Sequence, residues 1–163
     1  MNLITLDFET YYDTTLSLGK MSTVQYVQHD DFKVWGVGVK YNDEPTTWIS
    51  EAECKDFLQE IDWEDTQLVC HNTLFDAYIL TQVFGVYAKY YYDTAAMSRG
   101  LFPNESARLK DVSIRLFPRD PSMRKGEELV NAKGIRDLNP ELDEEIGSYC
   151  IQDVDLTYAI YNK

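Results

Sequence analysis

Short apolar runs in the first part of the chain predict β-strands, and longer amphipathic periods in the second part predict helices. The predicted strands are LITLDFET (3–10), KVWGVGVKY (33–41), PTTWI (45–49), QLVCH (67–71) and YYYD (90–93). The polar triplet Asn42-Asp43-Glu44 separates the second strand from the third and predicts a turn. We therefore expect the first three strands to run antiparallel.

The predicted helices first alternate with the predicted strands, and in the last part of the chain they follow one another directly. They are EAECKDFLQEI (51–61), NTLFDAYILTQVF (72–84), TAAMSRGLF (94–102), ARLKDVSIRLF (107–117), GEELVNAKG (126–134) and a last helix from Asn139-Pro140 to the end. Helices that follow the third and fourth strands provide the crossovers that parallel strands need. The pattern predicts one α/β domain over residues 1–163, with a mixed sheet of about five strands flanked by helices.

The last helix carries a carboxylate in the middle of an apolar stripe. The stripe repeats at intervals of three and four residues and consists of Ile146, Tyr149, Asp153, Leu156 and Ile160. Asp155 falls off this face, so we expect it to be an ordinary exposed acid. Because a carboxylate on an apolar face is costly unless something pairs with it, Asp153 needs a partner.

Three more carboxylates stand in comparable positions. Asp76 shares a helix face with Asn72, Ile79, Leu80 and Val83. Asp7 and Glu9 are two positions apart on a strand, so they point the same way, about 7 Å apart. Taken singly, Asp76 could be satisfied by a helix dipole or a salt bridge, and Asp7 and Glu9 could lie at a solvated strand end.

Composition and charge narrow the choice. The chain has 163 residues, of which 44% are hydrophobic, and a formal net charge of −13. It lacks both an apolar run of about 18 residues and a basic-then-apolar leader, so we expect a cytoplasmic protein without membrane contact. The three cysteines form no CxxC pair and are expected to be reduced core thiols. The only notably basic stretch is 117–139, which is loop-like.

Such acidity, taken alone, argues against nucleic-acid binding and is typical of a solvated acidic surface. Some of the carboxylates could instead hold divalent metal, whose charge does not enter a sequence count. Two unit charges 4 Å apart repel by about 4 kcal/mol at an effective dielectric near 20, so four carboxylates in one pocket need cations. Mg²⁺ and Mn²⁺ prefer such oxygen ligands. His71 is expected to be structural.

Three segments in order carry a family resemblance. DFET (7–10), HNTLFD (71–76) and YCIQD (149–153) resemble the three motifs of the DEDD 3′-5′ exonucleases, in the subclass named for its tyrosine. The stretch over 7–26 also resembles the proofreading exonuclease domain of family A DNA polymerases of phages and bacteria. The resemblance implies a ribonuclease H-like fold, which agrees with the element order above.

The resemblance also implies roles for individual residues. The metal-binding and catalytic carboxylates would be Asp7, Glu9, Asp76 and Asp153, which would hold two divalent cations, Mg²⁺ or Mn²⁺. Tyr149 would be catalytic and would orient the attacking water. The substrate-binding residues would be Thr10, Asn72 and Phe75. No residue clearly matches the basic group that grips the scissile phosphate, for which Arg108 and Lys110 are the candidates.

The implied function is removal of nucleoside 5′-monophosphates from the 3′ end of single-stranded DNA, as in proofreading. Because an acidic domain should bind DNA weakly by itself, we expect a polymerase domain on the C-terminal side of the same chain. A phage source would place the protein in the cytoplasm of a bacterial host. Three alternatives stay open: an RNA-trimming DEDD exonuclease, a non-catalytic nucleic-acid-binding module, and an α/β domain whose acids are ion-paired.

Overall fold

The centre of the protein is a five-stranded mixed sheet, seen in a computed structural model that describes residues 1–126 and 132–163. The strands are β1 (Asn2–Thr10), β2 (Val34–Tyr41), β3 (Thr47–Ser50), β4 (Thr66–Cys70) and β5 (Tyr90–Asp93), in the order β3-β2-β1-β4-β5. The pairs β1–β2 and β2–β3 are antiparallel, and β1–β4 and β4–β5 are parallel. The predicted mixed sheet, with its first three strands antiparallel, is confirmed.

The described helices are α1 (Thr23–Val27), α2 (Glu51–Glu60), α3 (Thr73–Gln82), α4 (Thr94–Leu101), α5 (Leu109–Leu116) and α6 (Pro140–Tyr161). The five longer ones lie where the periodicity predicts them. α1 is not among the predicted helices because five residues are too few to show a period, although Ser22 and Gln25 form a capping box there. The helical piece predicted over 126–134 lies largely outside the described residues.

Helix α6 covers one face of the sheet and packs across β1, β2 and β3. It begins as predicted, since the Asn139 side chain accepts a hydrogen bond from the backbone N–H of Leu142 and Pro140 occupies the first turn. Gly38 on β2 allows close packing, because a Cβ atom there would lie 2.8 Å from Cys150 Sγ on α6. The helix backbone therefore lies close to the sheet.

Strand β1 is the middle strand and presents different side chains to its two faces. Ile4, Leu6 and Phe8 are buried in the main core, where the Phe8 ring stacks on Phe84 beyond α3 at 5.6 Å between centroids. Asp7 alternates with them and is paired in register with Gly38, beneath α6. The acidic side chains of β1 are thus directed to the face that α6 covers.

The parallel strands end at a common edge of the sheet. β1 pairs with β4 up to Thr5, and the rest of β1 extends beyond the end of β4. The pairing of β1 with β2 shifts between Glu9 and Thr10, which marks a bulge. In open α/β sheets, ligands bind outside the carboxyl ends of the strands, and Asp7 and Glu9 lie there.

The three cysteines are buried free thiols, as expected from their sequence context. Over residues 1–126 and 132–163, no helix combines the length and the apolarity that a membrane crossing requires.

Candidate active site

Three separate parts of the chain bring four carboxylates to one place. Asp7 and Glu9 come from the end of β1, Asp76 from the first turn of α3, and Asp153 from the middle of α6. Asp76 and Asp153 are almost completely inaccessible, at 1% and 5% of their surface. Asp155, two positions beyond Asp153, is exposed, so the helical stripe separates the two acids as predicted.

Asp76 is tied to the backbone of β1 between the other two acids. Its Oδ1 accepts a hydrogen bond from the Phe8 N–H at 3.0 Å. The turn from β4 into α3 depends on Asn72, whose φ is +76°, in the left-handed region that asparagine tolerates. The Asn72 N–H donates to Asp93 Oδ1 at 3.1 Å. A backbone requirement therefore explains the asparagine that the sequence analysis placed near the substrate.

Cys150 lies against the carboxylates of β1. Its thiol donates to the carbonyl oxygen of Asp7 at 3.2 Å. One donor atom each of Asp7, Glu9 and Cys150 lies within 4.8 Å of the others. The end of β1 and the middle of α6 therefore bring three potential ligand atoms together.

Burial and mutual repulsion shift the protonation of these acids. Burial, followed by the charge of Asp153, raises the pKa of Asp7 to about 7. Burial and the charge of Asp7 also raise the pKa values of Glu9 and Asp76 well above their ordinary range. Without added cations, the cluster therefore binds protons at pH values where exposed carboxyl groups are ionised.

Lys125 is the residue of this site that the sequence analysis missed. Its Nζ lies 2.7 Å from Asp153 Oδ2 and 4.9 Å from the centre of the Tyr149 ring. Two hydrogen bonds join the residues on either side of Lys125 to helix α6. The Gln152 side chain donates to the Arg124 carbonyl at 3.0 Å and accepts from the Gly126 N–H at 2.9 Å. A lysine in a polar loop gave no local signal of this contact.

The two basic candidates named from the sequence lie elsewhere. Arg108 lines a separate cavity with His71 and Asn72, and Lys110 is an exposed residue of α5. The cation that contacts the carboxylates is Lys125. The loop before α6, and not α5, brings a positive charge to Asp153, and a contact of Arg108 or Lys110 with the scissile phosphate stays a prediction.

The remaining predicted residues have different surroundings. Tyr149 is one turn before Asp153 on the same face of α6. The buried hydroxyl of Thr10 is hydrogen-bonded to the Tyr26 hydroxyl at 2.8 Å, and Phe75 lies beside the same Tyr26 ring. Thr10 and Phe75 thus help to pack the wall of the site, and their contacts with substrate stay a prediction.

His71 has the structural surroundings expected from its position. Its Nδ1 is 2.8 Å from Thr94 Oγ1 and its Nε2 is 2.8 Å from the Ala107 carbonyl oxygen. Burial lowers the pKa of the imidazole. His71 therefore joins the end of β4 to the segment before α5.

The donor set fits a hard divalent cation. It offers several carboxylate oxygens, and burial with like charge makes their ionised forms costly unless positive charge is added. Oxygen-rich sites of this kind suit Mg²⁺ and Mn²⁺ better than metals that prefer thiolates or imidazoles. The assignment of individual carboxylates as ligands stays a prediction.

The fold and the carboxylate cluster together define the class of ribonuclease H-like DEDD exonucleases, whose members use divalent metal ions. A family model described as 3′-5′ exonuclease matches residues 4–163, and the chain belongs to this family. No curated protein sequence matches the chain.

Solved structures show the same fold. Brucella melitensis NrnC bound to pGG superposes with a TM-score of 0.67 at 16% identity, over 98% of this chain and 70% of that one. NrnC with bound Mg²⁺ gives 0.63 at 14% identity, over 98% and 72%. The catalytic core of RRP6 from Trypanosoma brucei gives 0.66 at 14% identity, over 98% and 39%.

The expected polymerase domain is not found within residues 1–163. The exonuclease family model already accounts for residues 4–163 of the 163-residue chain, and no polymerase domain is evident in it.

Proposed function

We propose that this 3′-5′ exonuclease shortens single-stranded DNA from its 3′ end and releases nucleoside 5′-monophosphates, the reaction used in proofreading. The observation that carries the proposal is the convergence of four carboxylates from three distant motifs on one site, where Asp76 and Asp153 are buried. The name of the matching family model, which refers to DNA polymerase A, favours DNA as the substrate. The same match supports treating residues 1–163 as one exonuclease domain.

Asp7, Glu9, Asp76 and Asp153 are the residues that would hold two divalent cations. When bound, such cations lower the pKa of a water molecule and stabilise the charge that develops on the scissile phosphate and on the leaving 3′ oxygen. Mg²⁺ is the first choice, since a solved structure of NrnC carries it.

The chain's own side chains would position the reactants. Tyr149 lies one turn from Asp153, so its phenol can donate a hydrogen bond to the attacking water or accept one from it. Because a phenol is a poor base at neutral pH, Tyr149 is an orienting group. Lys125, at the same place, can donate to a non-bridging phosphate oxygen once Asp153 binds metal.

RNA is the second candidate substrate. It is favoured by the fold shared with NrnC, solved with pGG, and with the catalytic core of RRP6. Those structures are less than 25% identical to this chain, so they speak for the fold, whereas the family model matches the sequence itself. This difference places DNA first and RNA second.

The proposal is tested with DNA and RNA oligonucleotides of the same sequence and length, labelled at the 5′ end. Incubation with Mg²⁺ should give a ladder that shortens from the 3′ end, and EDTA should abolish it. Faster shortening of DNA supports the proposal, and faster shortening of RNA selects the second candidate. Absence of cleavage of both with Mg²⁺ and with Mn²⁺ rejects an exonuclease function for the chain.

A further inference from the structure

Basic residues are concentrated in one part of this acidic chain. Residues 94–126 contain seven of the 15 Lys and Arg residues but only three of the 28 Asp and Glu residues. This segment comprises α4, α5 and the loop that carries Lys125. Its formal charge is positive while that of the whole chain is −13, so the segment offers a local attraction to phosphates that the rest of the chain does not.

Two arginines of this segment face an open cavity of about 450 Å³. Arg99 comes from the last turn of α4, and Arg108 is the N-cap residue of α5. Both are exposed, and neither forms a salt bridge within residues 1–126 and 132–163. Their guanidinium groups are therefore available to an external anion. The acid at the cavity, Glu105, lies 3.8 Å from Arg115, which offsets its charge.

The cavity is next to the carboxylate site along the sheet edge. His71 and Asn72 line it, and they connect the end of β4 with the helix that carries Asp76. A chain of phosphates that ends at the carboxylates can therefore continue past His71 to the two arginines.

We propose that the cavity between Arg99 and Arg108 binds a backbone phosphate of the substrate strand on the 5′ side of the scissile bond. The inference rests on the proposed exonuclease function and adds the path of the strand. Guanidinium groups suit this task because they donate two parallel hydrogen bonds to a phosphate. Such contacts hold the strand without reading its sequence.

This subsite offers a way for an acidic domain to bind DNA. Phosphate contacts supply most of the sequence-independent affinity, and each contact releases condensed counterions. The strand would meet the positive surface of 94–126 and avoid the acidic remainder. The subsite holds the substrate and takes no part in bond cleavage, so its loss should raise KM and spare kcat.

The first experiment measures steady-state cleavage of a single-stranded hexanucleotide by Arg99→Gln, Arg108→Gln and the double variant. Lys55→Gln is the matched control, because Lys55 is an exposed cation on α2. The double variant should raise KM about tenfold and change kcat less than about twofold. The salt dependence of kcat/KM should weaken by about 0.7 in log–log slope, the value expected for the loss of one phosphate contact to a single strand. A KM equal to that of the control overturns the inference.

A second experiment needs only the wild-type fold. An uncharged methylphosphonate linkage is placed at the second, third or fourth linkage from the 3′ end of the hexanucleotide. At one of these positions the substitution should raise KM for the wild type and have no added effect in the double variant. Equal effects in both proteins at every position overturn the inference. A wild type that cleaves no unmodified oligonucleotide instead rejects the proposed function, which keeps the two failures distinct.

Discussion

The ammonium group of Lys125 lies 2.7 Å from the carboxylate of Asp153, so the acidic cluster contains a positive charge supplied by the chain itself. The side chains of the pair are 18% and 7% exposed, and water therefore screens their interaction only weakly. Lys125 also lowers the pKa values of Asp7 and Glu9. It thus performs part of the charge compensation expected of divalent cations.

Replacing Lys125 with methionine should destabilise the metal-free protein by about 2 kcal/mol, because a buried carboxylate loses its counter-ion. For a chain of this length that is about 4–8 °C in Tm, measured by thermal unfolding in EDTA. Saturating Mn²⁺ should restore most of the difference, since a bound cation replaces the lost charge.

Lys40→Met is the control for this prediction. Lys40 on β2 pairs with Asp155, an exposed acid on the same helix as Asp153, at 3.5 Å between Nζ and Oδ1. The unfolding temperature of the Lys40 variant should change little and in the same way with and without metal. If the Lys125 variant is destabilised equally in EDTA and in Mn²⁺, the metal does not replace the ammonium group in compensating the charge of Asp153.

Asp153→Asn should lower metal-dependent exonuclease activity by about a thousandfold, because it removes a charged oxygen ligand from the pocket. Asp155→Asn should stay within about twofold of wild type, since Asp155 is exposed on another face of α6. Both are measured as initial rates on labelled single-stranded DNA. Equal losses in the two variants would defeat the argument from the helical stripe.

Tyr149→Phe should lower kcat by about a hundredfold and leave KM nearly unchanged, as expected when a group that orients the attacking water is lost. Tyr158→Phe is the matched control. The Tyr158 hydroxyl is on the same helix but donates a hydrogen bond to Asp43, in the turn between β2 and β3. That variant should cleave at the wild-type rate. A wild-type kcat in Tyr149→Phe would show that the phenol has no part in the reaction.

The free energy of unfolding of the metal-free protein should depend on pH through the protonation of Asp7. The pKa of this group is about 7 in the folded state and about 3.8 in the unfolded chain. Between these values the folded state binds a proton that the unfolded chain releases, so the Asp7 contribution to the free energy of unfolding falls as pH rises. Above pH 7 the loss is complete.

Asp7→Asn isolates that contribution. Relative to the wild type in EDTA, the variant should gain about 4 kcal/mol between pH 4 and pH 8, measured by denaturant unfolding at each pH. Saturating Mg²⁺ at pH 8 should stabilise the wild type more than the variant, because the amide is a weaker ligand. A difference between the two proteins that does not change with pH contradicts the raised pKa.

Much of the fold follows from local sequence patterns. The strand β5 has the predicted bounds 90–93, and α6 begins at Pro140 as its capping pair indicates. These elements were predictable because alternation, helical period and capping act within a few residues. The order of strands in the sheet depends on contacts between distant segments, and no local pattern specified it.

The residues of the site differ in the same way: some could be predicted from local patterns and others could not. The carboxylates stood out because an acid on an apolar face contradicts its surroundings within one turn of helix, as Asp153 does. Lys125 gave no such signal, since a lysine in a polar loop is ordinary, and only the hydrogen bonds of Gln152 to the adjacent backbone place it against Asp153. Arg99 was missed for the same reason.

Strand β1 contributes Asp7 and Glu9 and is bonded to a neighbour on either side, β2 and β4. Its amide hydrogens should be among the slowest of the protein to exchange with solvent, because releasing them requires the sheet to separate on both flanks. Heat should accordingly inactivate the enzyme in the same transition that melts it, with no milder state in which the pocket alone is lost.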